Sequence, residues 1–434
     1  MSQGLAARRC AVLALQFVLR SRTALDAALS QTPDYAGLHP RDRAFARLVA
    51  ATTLRRRGQI DAVVSTFVQR PLPESALEAR LILETAVAQL VFLDTKPHAA
   101  VSGAVDLANR SRESARFAGL INAVLRKAAS QGKAIAEQTA LRRNLPDWLL
   151  ASWQSSYGPD AVDAIAAAWT SAPPLDLTLR DPDARSEWSE KLGAEILPTG
   201  TLRKQEIGDI TSLTGFEDGH WWAQDAGAAL PAQLLSPRAG EAVLDLCAAP
   251  GGKTLQLASA GAKVTALDAS PKRMRRVQQN LERTGLTAEL ITDDGQSWGE
   301  AESFDAILLD APCSATGTLR RRPDAAWIKA AEDVRSLMPI QAALFDNAVR
   351  LLKPGGGLVV CTCSLQAEEG ELWLSRGLER NSNVAVDPIA PDELPELEPA
   401  LLDDGSVRLT PAMWAGRGSI DGFFIARLRK AAVA

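Results

Sequence analysis

Residues 241–260 read EAVLDLCAAPGGKTLQLASA. An apolar run from Ala242 to Leu246 is followed by a turn of small residues, a proline and two glycines, and then by apolar residues at helical spacing. Strand, tight turn and helix in that order open a doubly wound α/β domain. The chain beyond repeats the unit. AKVTALDAS (262–270) reads as a second strand and KRMRRVQQNLERTG (272–285) as its helix. AELITDD (288–294), FDAILLDAP (304–312) and GGGLVVCTCS (355–364) read as three more strands. These runs are rich in Val, Ile and Leu without alternation, as expected of parallel strands covered on both faces. DGFFIARLRK (421–430) is a last strand, and the acidic, proline-rich DPIAPDELPELEPALLDD (387–404) reads as an exposed loop. Residues 221–434 are therefore expected to form a Rossmann-like α/β domain that binds its ligand at the carboxyl ends of the strands.

The first turn narrows the ligand. GGKT resembles the end of a phosphate-binding loop, but that loop needs a glycine five residues before its second glycine, where this chain has Cys247. The dinucleotide fingerprint Gly-x-Gly-x-x-Gly also fails. What remains is a glycine turn that admits a ligand to the backbone at a helix N-terminus. Asp268 ends the next strand, where a carboxylate can accept hydrogen bonds from ribose hydroxyls. Asp294 ends the third strand, within reach of an adenine ring. Either aspartate alone could be a turn or cap residue. Together they describe an adenosine cofactor with no required pyrophosphate, and S-adenosyl-L-methionine fits.

Upstream the pattern changes. RDRAFARLVAATTLRRRG (41–58), SALEARLILETAVAQLVFL (75–93), HAAVSGAVDLANR (98–110) and RFAGLINAVLRKAAS (116–130) have apolar residues every three or four positions. Residues 1–140 are thus expected to be an all-α bundle, with Pro40 and Pro97 in first helical turns and Gly58 as a C-cap. Residues 141–220 read as a linker and small α+β subdomain: DLTLRDPD (176–183), AEILPTG (194–200) and DITSLTG (209–215) as strands, ARSEWSEKLGA (184–194) as a helix. The net charge of −4 conceals an asymmetry. Residues 1–145 hold 21 Lys and Arg against 11 Asp and Glu, while the remainder holds 27 against 41. A basic module beside an acidic one points to a polyanionic partner, most simply nucleic acid.

Three of the five cysteines, Cys313, Cys361 and Cys363, lie where buried strands are expected to end. A disulfide framework is a poor explanation, because the count is odd and Cys-x-Cys is poor geometry for a bridge. A zinc site needs about four ligands at finger-like spacing. The only histidines are His39, His98 and His220, and no Cys-x-x-Cys occurs, so no metal is expected. AARRCAVLALQFVLRSRTAL (6–25) mimics a signal peptide, but Val12, Leu15, Val18 and Leu19 recur at helical spacing. No run of about 18 apolar residues is present, so no membrane span is expected. The reducing cytoplasm, where thiols stay free, is the expected compartment. Packing as small hydrophobes accounts for Cys10 and Cys361. For Cys313 and Cys363 packing competes with what surrounds them.

DLCAAPGGKT, ALDAS, DAPCSATGTLRRRPD and CTCSLQAEE, in this order, resemble the RNA 5-methylcytosine methyltransferases of the Nol1/Nop2/Sun family. RDRAFARLV, AAVSGAVDLA and GLINAVLRK resemble the NusB-like RNA-binding domain, more loosely. The resemblance implies a multidomain protein: a NusB-like bundle, a small RNA-binding subdomain and a Rossmann-like S-adenosylmethionine-dependent methyltransferase domain. It implies ribosomal RNA as substrate, free or partly assembled 16S RNA, and a monomer. Carbon 5 of cytosine is a poor nucleophile, and adding a thiolate to carbon 6 makes the ring enamine-like. Cysteine is both a strong nucleophile and a competent leaving group. The family assigns the attack to the Thr-Cys cysteine, here Cys363, and release of the product to the Pro-Cys cysteine, here Cys313. DNA cytosine methyltransferases use a Pro-Cys nucleophile instead, so the residues alone do not choose between the two. Asp310 is implied at the cytosine edge and near the cofactor. Lys253 and a helix N-terminus are candidates for stabilising the thiolate. Cys247, Ala248, Ala249, Pro250, Gly251, Gly252, Lys253, Asp268, Arg273, Asp294 and Asp310 are implied around the cofactor. Arg320, Arg321 and Arg322 are candidates to hold RNA phosphates.

Two other classes compete. An NAD-dependent oxidoreductase would need the missing fingerprint. An RNA-binding assembly factor would rest on the helical bundle alone, and loss of Cys363 or Asp310 would have favoured it. Among methyltransferases, transfer RNA is the alternative substrate.

Overall fold

The computed structural model describes residues 3–205 and 208–432. The chain divides into two compact units. One runs up to Ser171 and takes in Leu319–Ala330, and the other comprises Ala172–Thr318 and the chain from Ala331 onward.

The first unit is helical: α1 (Gln3–Ser21), α2 (Leu25–Ser30), α3 (Pro40–Arg55), α4 (Arg57–Phe67), α5 (Leu77–Phe92), α6 (Pro97–Arg110), α7 (Ala118–Gln138) and α8 (Asp147–Trp169). Val12, Leu15 and Val18 face its core, so the stretch that mimics a signal peptide is an ordinary amphipathic helix. Helix α5 is buried nearly all round and forms the centre. Pro40 and Pro97 begin α3 and α6 as expected. Gly58 is not a C-cap. It is the second residue of α4, and a Cβ there would strike the backbone of Arg143. That close approach fixes the next turn, because Asn144 Oδ1 accepts from Gln59 N at 3.0 Å and Asn144 Nδ2 donates to Gln59 Oε1 at 3.1 Å. Residues 141–171 therefore belong with the bundle, beyond the boundary at 140 read from the sequence. Helix α8 is kinked at Gly158 (φ 79°), just before Pro159.

The second unit begins with a four-stranded antiparallel sheet of order β2-β3-β1-β4: β1 (Leu175–Leu179), β2 (Glu195–Ile196), β3 (Leu202–Lys204) and β4 (Trp221–Ala223), with α9 (Arg185–Leu192) between β1 and β2. DITSLTG is not a strand, since Ile210–Ser212 forms one 3-10 turn capped by Asp209. Under this sheet Asp176 and Arg203 form an ion pair with no side-chain exposure, joined by two bonds of 2.7 Å.

Helix α10 (Ala226–Leu235) leads into the large sheet. Its strands are β5 (Ala242–Leu246), β6 (Lys263–Leu267), β7 (Glu289–Ile291), β8 (Phe304–Asp310), β9 (Leu352–Thr362), β10 (Val384–Val386), β11 (Val407–Leu409) and β12 (Phe423–Lys430). The order is β10-β12-β9-β8-β5-β6-β7, with β11 added to β12. Strands β5 to β9 run parallel, and β12 returns antiparallel with Phe424 opposite Thr362 and Arg429 opposite Gly357. Helices α11 (Gly252–Ser259), α12 (Pro271–Thr284), α13 (Ala331–Leu351) and α14 (Glu371–Arg380) complete this mixed, Rossmann-like fold. The strand order reverses beside β5, which has β6 on one side and β8 on the other. A crevice opens at such a reversal, at the carboxyl ends of the strands. The acidic segment 387–404 is not simply an exposed loop. Its Ile389, Leu394, Leu397 and Ala400 are buried in a cluster with Val359, Cys361 and Ile425.

Candidate active site

The turn after β5 is built from backbone bonds. Cys247 N and Ala248 N both donate to Leu267 O, at 2.8 and 2.9 Å, and Gly251 N donates to Ala248 O at 2.9 Å. Cys247 (φ 69°) and Gly251 (φ 105°) take left-handed conformations, and helix α11 starts at Gly252. Asp268, at the carboxyl end of β6, is 3% exposed. It accepts from Ser270 N at 2.9 Å and from Ala249 N at 3.3 Å, and pairs with Arg273 Nη1 at 3.1 Å. Arg273 also donates to Ala249 O, and Asn280 Nδ2 donates to Pro250 O at 3.1 Å. Turn, carboxylate and α12 are thus one hydrogen-bonded assembly. Asp294 lies three residues past β7, exposed, accepting from Gln296 N at 3.0 Å.

Asp310 ends β8. Its Oδ2 accepts from Lys253 Nζ at 2.8 Å, and its Oδ1 faces the Cys361 thiol at 3.6 Å. Burial works against a charge on Lys253, but Asp310 outweighs it and the pKa rises above the ordinary lysine value. The ammonium also lies 5.4 Å from the Phe423 ring centroid. A cavity of about 330 Å³ opens here, lined among others by Trp222, Gln224, Pro250, Lys253, Asn280, Arg283 and Asp310. Lys253 is therefore committed to Asp310, and the neighbour of the Cys363 sulfur is another thiol.

The opposed thiols are the centre of the site. Cys313 Sγ and Cys363 Sγ are 3.5 Å apart and both are free. Cys313 sits in the loop after β8 and Cys363 is the residue after β9, so two adjacent parallel strands deliver them. Hydrogen bonding to Cys363, then burial, pushes the Cys313 thiol well above its ordinary pKa. A thiolate is therefore disfavoured at Cys313. Cys10 is buried in the bundle core. Cys361 is fully buried too, although its thiol reaches Asp310.

Beneath the thiols lies a polar network that the sequence did not reveal. Glu369, fully buried, accepts from Ser314 N at 2.9 Å, Ser314 Oγ at 2.5 Å and Gln341 Nε2 at 3.2 Å. Ser364 Oγ lies 3.1 Å from Ser314 Oγ and 3.2 Å from Thr316 Oγ1. Gly317 N donates to Cys363 O and Gly422 N to Gly317 O, both at 2.9 Å, and a Cβ on Gly317 would strike the Gly422 carbonyl. The residues that flank each cysteine therefore bind the two loops together. Under the cofactor turn, Asp245 is fully buried and accepts from Thr254 Oγ1 at 2.6 Å. Burial raises its pKa to about 7.

The arginines after Cys313 need correction. Leu319–Ala330 packs into the helical unit. Trp327 Nε1 donates to Leu54 O at 3.0 Å, Asp324 accepts from Leu25 N at 3.2 Å, and Arg55 Nη2 donates to Arg320 O at 2.5 Å. Arg320 is 2% exposed, Arg321 is half-buried and Arg322 is exposed. A buried guanidinium cannot hold a phosphate, so the expected trio narrows to Arg322 and the accessible part of Arg321. Among the described residues no cluster of side chains could hold a metal ion, and no helix is long and apolar enough to cross a membrane.

A reversing parallel sheet, a glycine turn and carboxylates at successive strand ends define an S-adenosylmethionine-dependent methyltransferase. The residues present fit that cofactor: Asp268 would take ribose hydroxyls, the N–H groups that open α11 at Gly252 and Lys253 would face it, and nearby carboxylates would favour a sulfonium charge. The family model described as 16S rRNA methyltransferase RsmB/F matches residues 232–429, and the NusB family model matches residues 5–130. Ribosomal RNA small subunit methyltransferase B of Vibrio cholerae is 33% identical over 96% of this chain and 99% of its own length. The Xylella fastidiosa protein of that name is 36% identical over 99% of both. The crystal structure of PH0851 superposes with a TM-score of 0.76 at 23% identity, over 99% of both chains, a likeness of fold. The chain belongs to the RsmB/F family of small-subunit rRNA methyltransferases.

Proposed function

We propose that the protein methylates carbon 5 of a cytosine in 16S ribosomal RNA, with Cys363 as the nucleophile. The observation that carries this reading is the 3.5 Å opposition of two free thiols beside the Lys253–Asp310 pair. The bond to Cys363 and burial disfavour a thiolate at Cys313, and the attack is assigned to Cys363. The Cys363 thiolate adds to carbon 6, forming a carbon–sulfur bond. Asp310 hydrogen-bonds the cytosine edge and favours protonation at the ring nitrogen, so electron density collects at carbon 5. The bound cofactor supplies an electrophilic methyl group to that carbon. Elimination then gives back the ring-nitrogen proton, passes the carbon 5 proton to the ionised Cys313, breaks the carbon–sulfur bond and returns Cys363 as thiolate.

Cys313 is suited to assist that last step. Its bond to Cys363 is the largest cause of its raised pKa. Once Cys363 is alkylated, a thioether replaces the anion, and Cys313 ionises more readily when a base is wanted. A base that meets both thiols must leave its stack, so a single-stranded or loop region is the substrate. The basic bundle, which matches the NusB family, serves as the RNA-binding module. The protein acts as a cytoplasmic monomer on free or partly assembled 16S RNA. Mapping 5-methylcytosine in total RNA with and without this gene tests the reading. One position lost from 16S RNA supports it, and a position lost from transfer RNA instead moves the substrate.

A further inference from the structure

We propose that the outer face of α12 is a phosphate track that guides the substrate RNA strand into the cavity at Lys253 and Asp310. The proposal rests on the RNA methyltransferase reading above and adds the surface that holds the strand. Helix α12 carries Lys272, Arg273, Arg275, Arg276 and Arg283 against one acid, Glu282, within a part of the chain that is acidic overall. Its apolar face, Met274, Val277 and Leu281, is buried. Lys272, Arg275 and Arg276 are exposed, and among the described residues none of them forms an ion pair or a side-chain hydrogen bond. Exposed cations left without carboxylate partners are matched to a polyanion supplied from outside.

The helical period gives the face a direction. Arg273 and Asn280, seven residues apart, both bond the cofactor turn, to Ala249 O and Pro250 O. Arg276 lies between them on the same side, and Lys272, Arg276, Asn280 and Arg283 form one row at three- and four-residue spacing. Asn280 and Arg283 line the cavity that contains Lys253 and Asp310. Arg283 is held there by Phe216 O at 2.6 Å and Trp221 O at 3.1 Å, with its guanidinium over the Phe216 ring. The row therefore runs from solvent to the cavity mouth. Spaced point charges without a shaped pocket suit successive phosphodiesters of a single strand. Arg275, although three residues from Lys272, points about 100° away from Arg276 and about 140° away from Asn280, on the side turned from the cavity.

The test compares the full-length wild type with K272Q/R276Q and R275Q, using a fluorescent single-stranded fragment of small-subunit rRNA over a salt series. The double variant is expected to lower the slope of log affinity against log salt by about 1.4, two phosphate contacts on a single strand. R275Q is expected to leave the slope unchanged, and both variants to keep wild-type cofactor affinity in calorimetry. An unchanged slope in K272Q/R276Q, or an equal loss per charge in R275Q, overturns the track. A wild type that binds the fragment but forms no 5-methylcytosine in any RNA overturns the proposed reaction instead, while the salt slopes still judge the track.

Discussion

Replacing Asp245 with Asn should abolish a pH dependence of stability that the wild type carries. The carboxyl group is fully buried, Oδ2 accepts from Thr254, and Oδ1 has no hydrogen-bond partner among the described residues. Burial raises its pKa from the ordinary 3.8 to about 7. A raised pKa favours the protonated folded state. Below 3.8 both folded and unfolded chains hold the proton, and the group contributes no penalty. As pH rises towards 7 the unfolded chain ionises while the folded one does not, so stability falls, and above 7 it levels off. A shift of about three units corresponds to about 4 kcal/mol in all, of which roughly 2–3 kcal/mol falls between about pH 5 and pH 8. Asn has no proton to lose. Urea unfolding of wild type and D245N across that range, followed by tryptophan fluorescence, should give curves that diverge by this amount in favour of D245N as pH rises. Parallel curves would refute the reasoning.

Asp268→Ala should weaken S-adenosylmethionine binding about ten- to a hundredfold, the worth of a charge-assisted hydrogen bond, and unchanged calorimetric affinity in a folded protein would remove Asp268 from the cofactor site. Arg203→Met leaves Asp176 buried without its cation and should cost about 3–5 kcal/mol of stability in thermal unfolding, where a loss below about 1 kcal/mol would contradict the pairing. Lys253→Met frees Asp310 from its ammonium and should lower turnover by about a hundredfold or more in a methyl-transfer assay while the protein stays folded, and near-normal turnover would confine Lys253 to a structural part.

The parallel strands were legible because Val, Ile and Leu run without strict polar–apolar alternation through residues 242–246, 304–310 and 357–362, and Cys247, Asp310 and Cys363 mark their ends. The antiparallel return of β12 was not, because one strand's composition says nothing about its direction. Arg320 stands seven residues from Cys313, which suggested the active site, but sequence proximity carries no information on burial. The helical unit takes it in through Trp327 and Asp324, whose partners Leu54 and Leu25 lie some 300 residues earlier in the chain. In the sequence Glu369 is one of two adjacent acids with nothing to set it apart, and only its bonds to Ser314, 55 residues away, make it a strut between the cysteine loops. In 387–404 the apolar residues are scattered among prolines and acids without a period, so their burial was hidden.

Which thiol attacks is the central claim, and trapping the covalent complex tests it most directly. Cys313→Ala protein, incubated with cofactor and substrate RNA, should accumulate an RNA–protein adduct that survives denaturing electrophoresis and carries one methyl group per enzyme. Cys363→Ala and the double variant should bind the cofactor and form no adduct. Adducts in Cys363→Ala and none in Cys313→Ala would show that the two sulfurs, 3.5 Å apart, have the opposite roles.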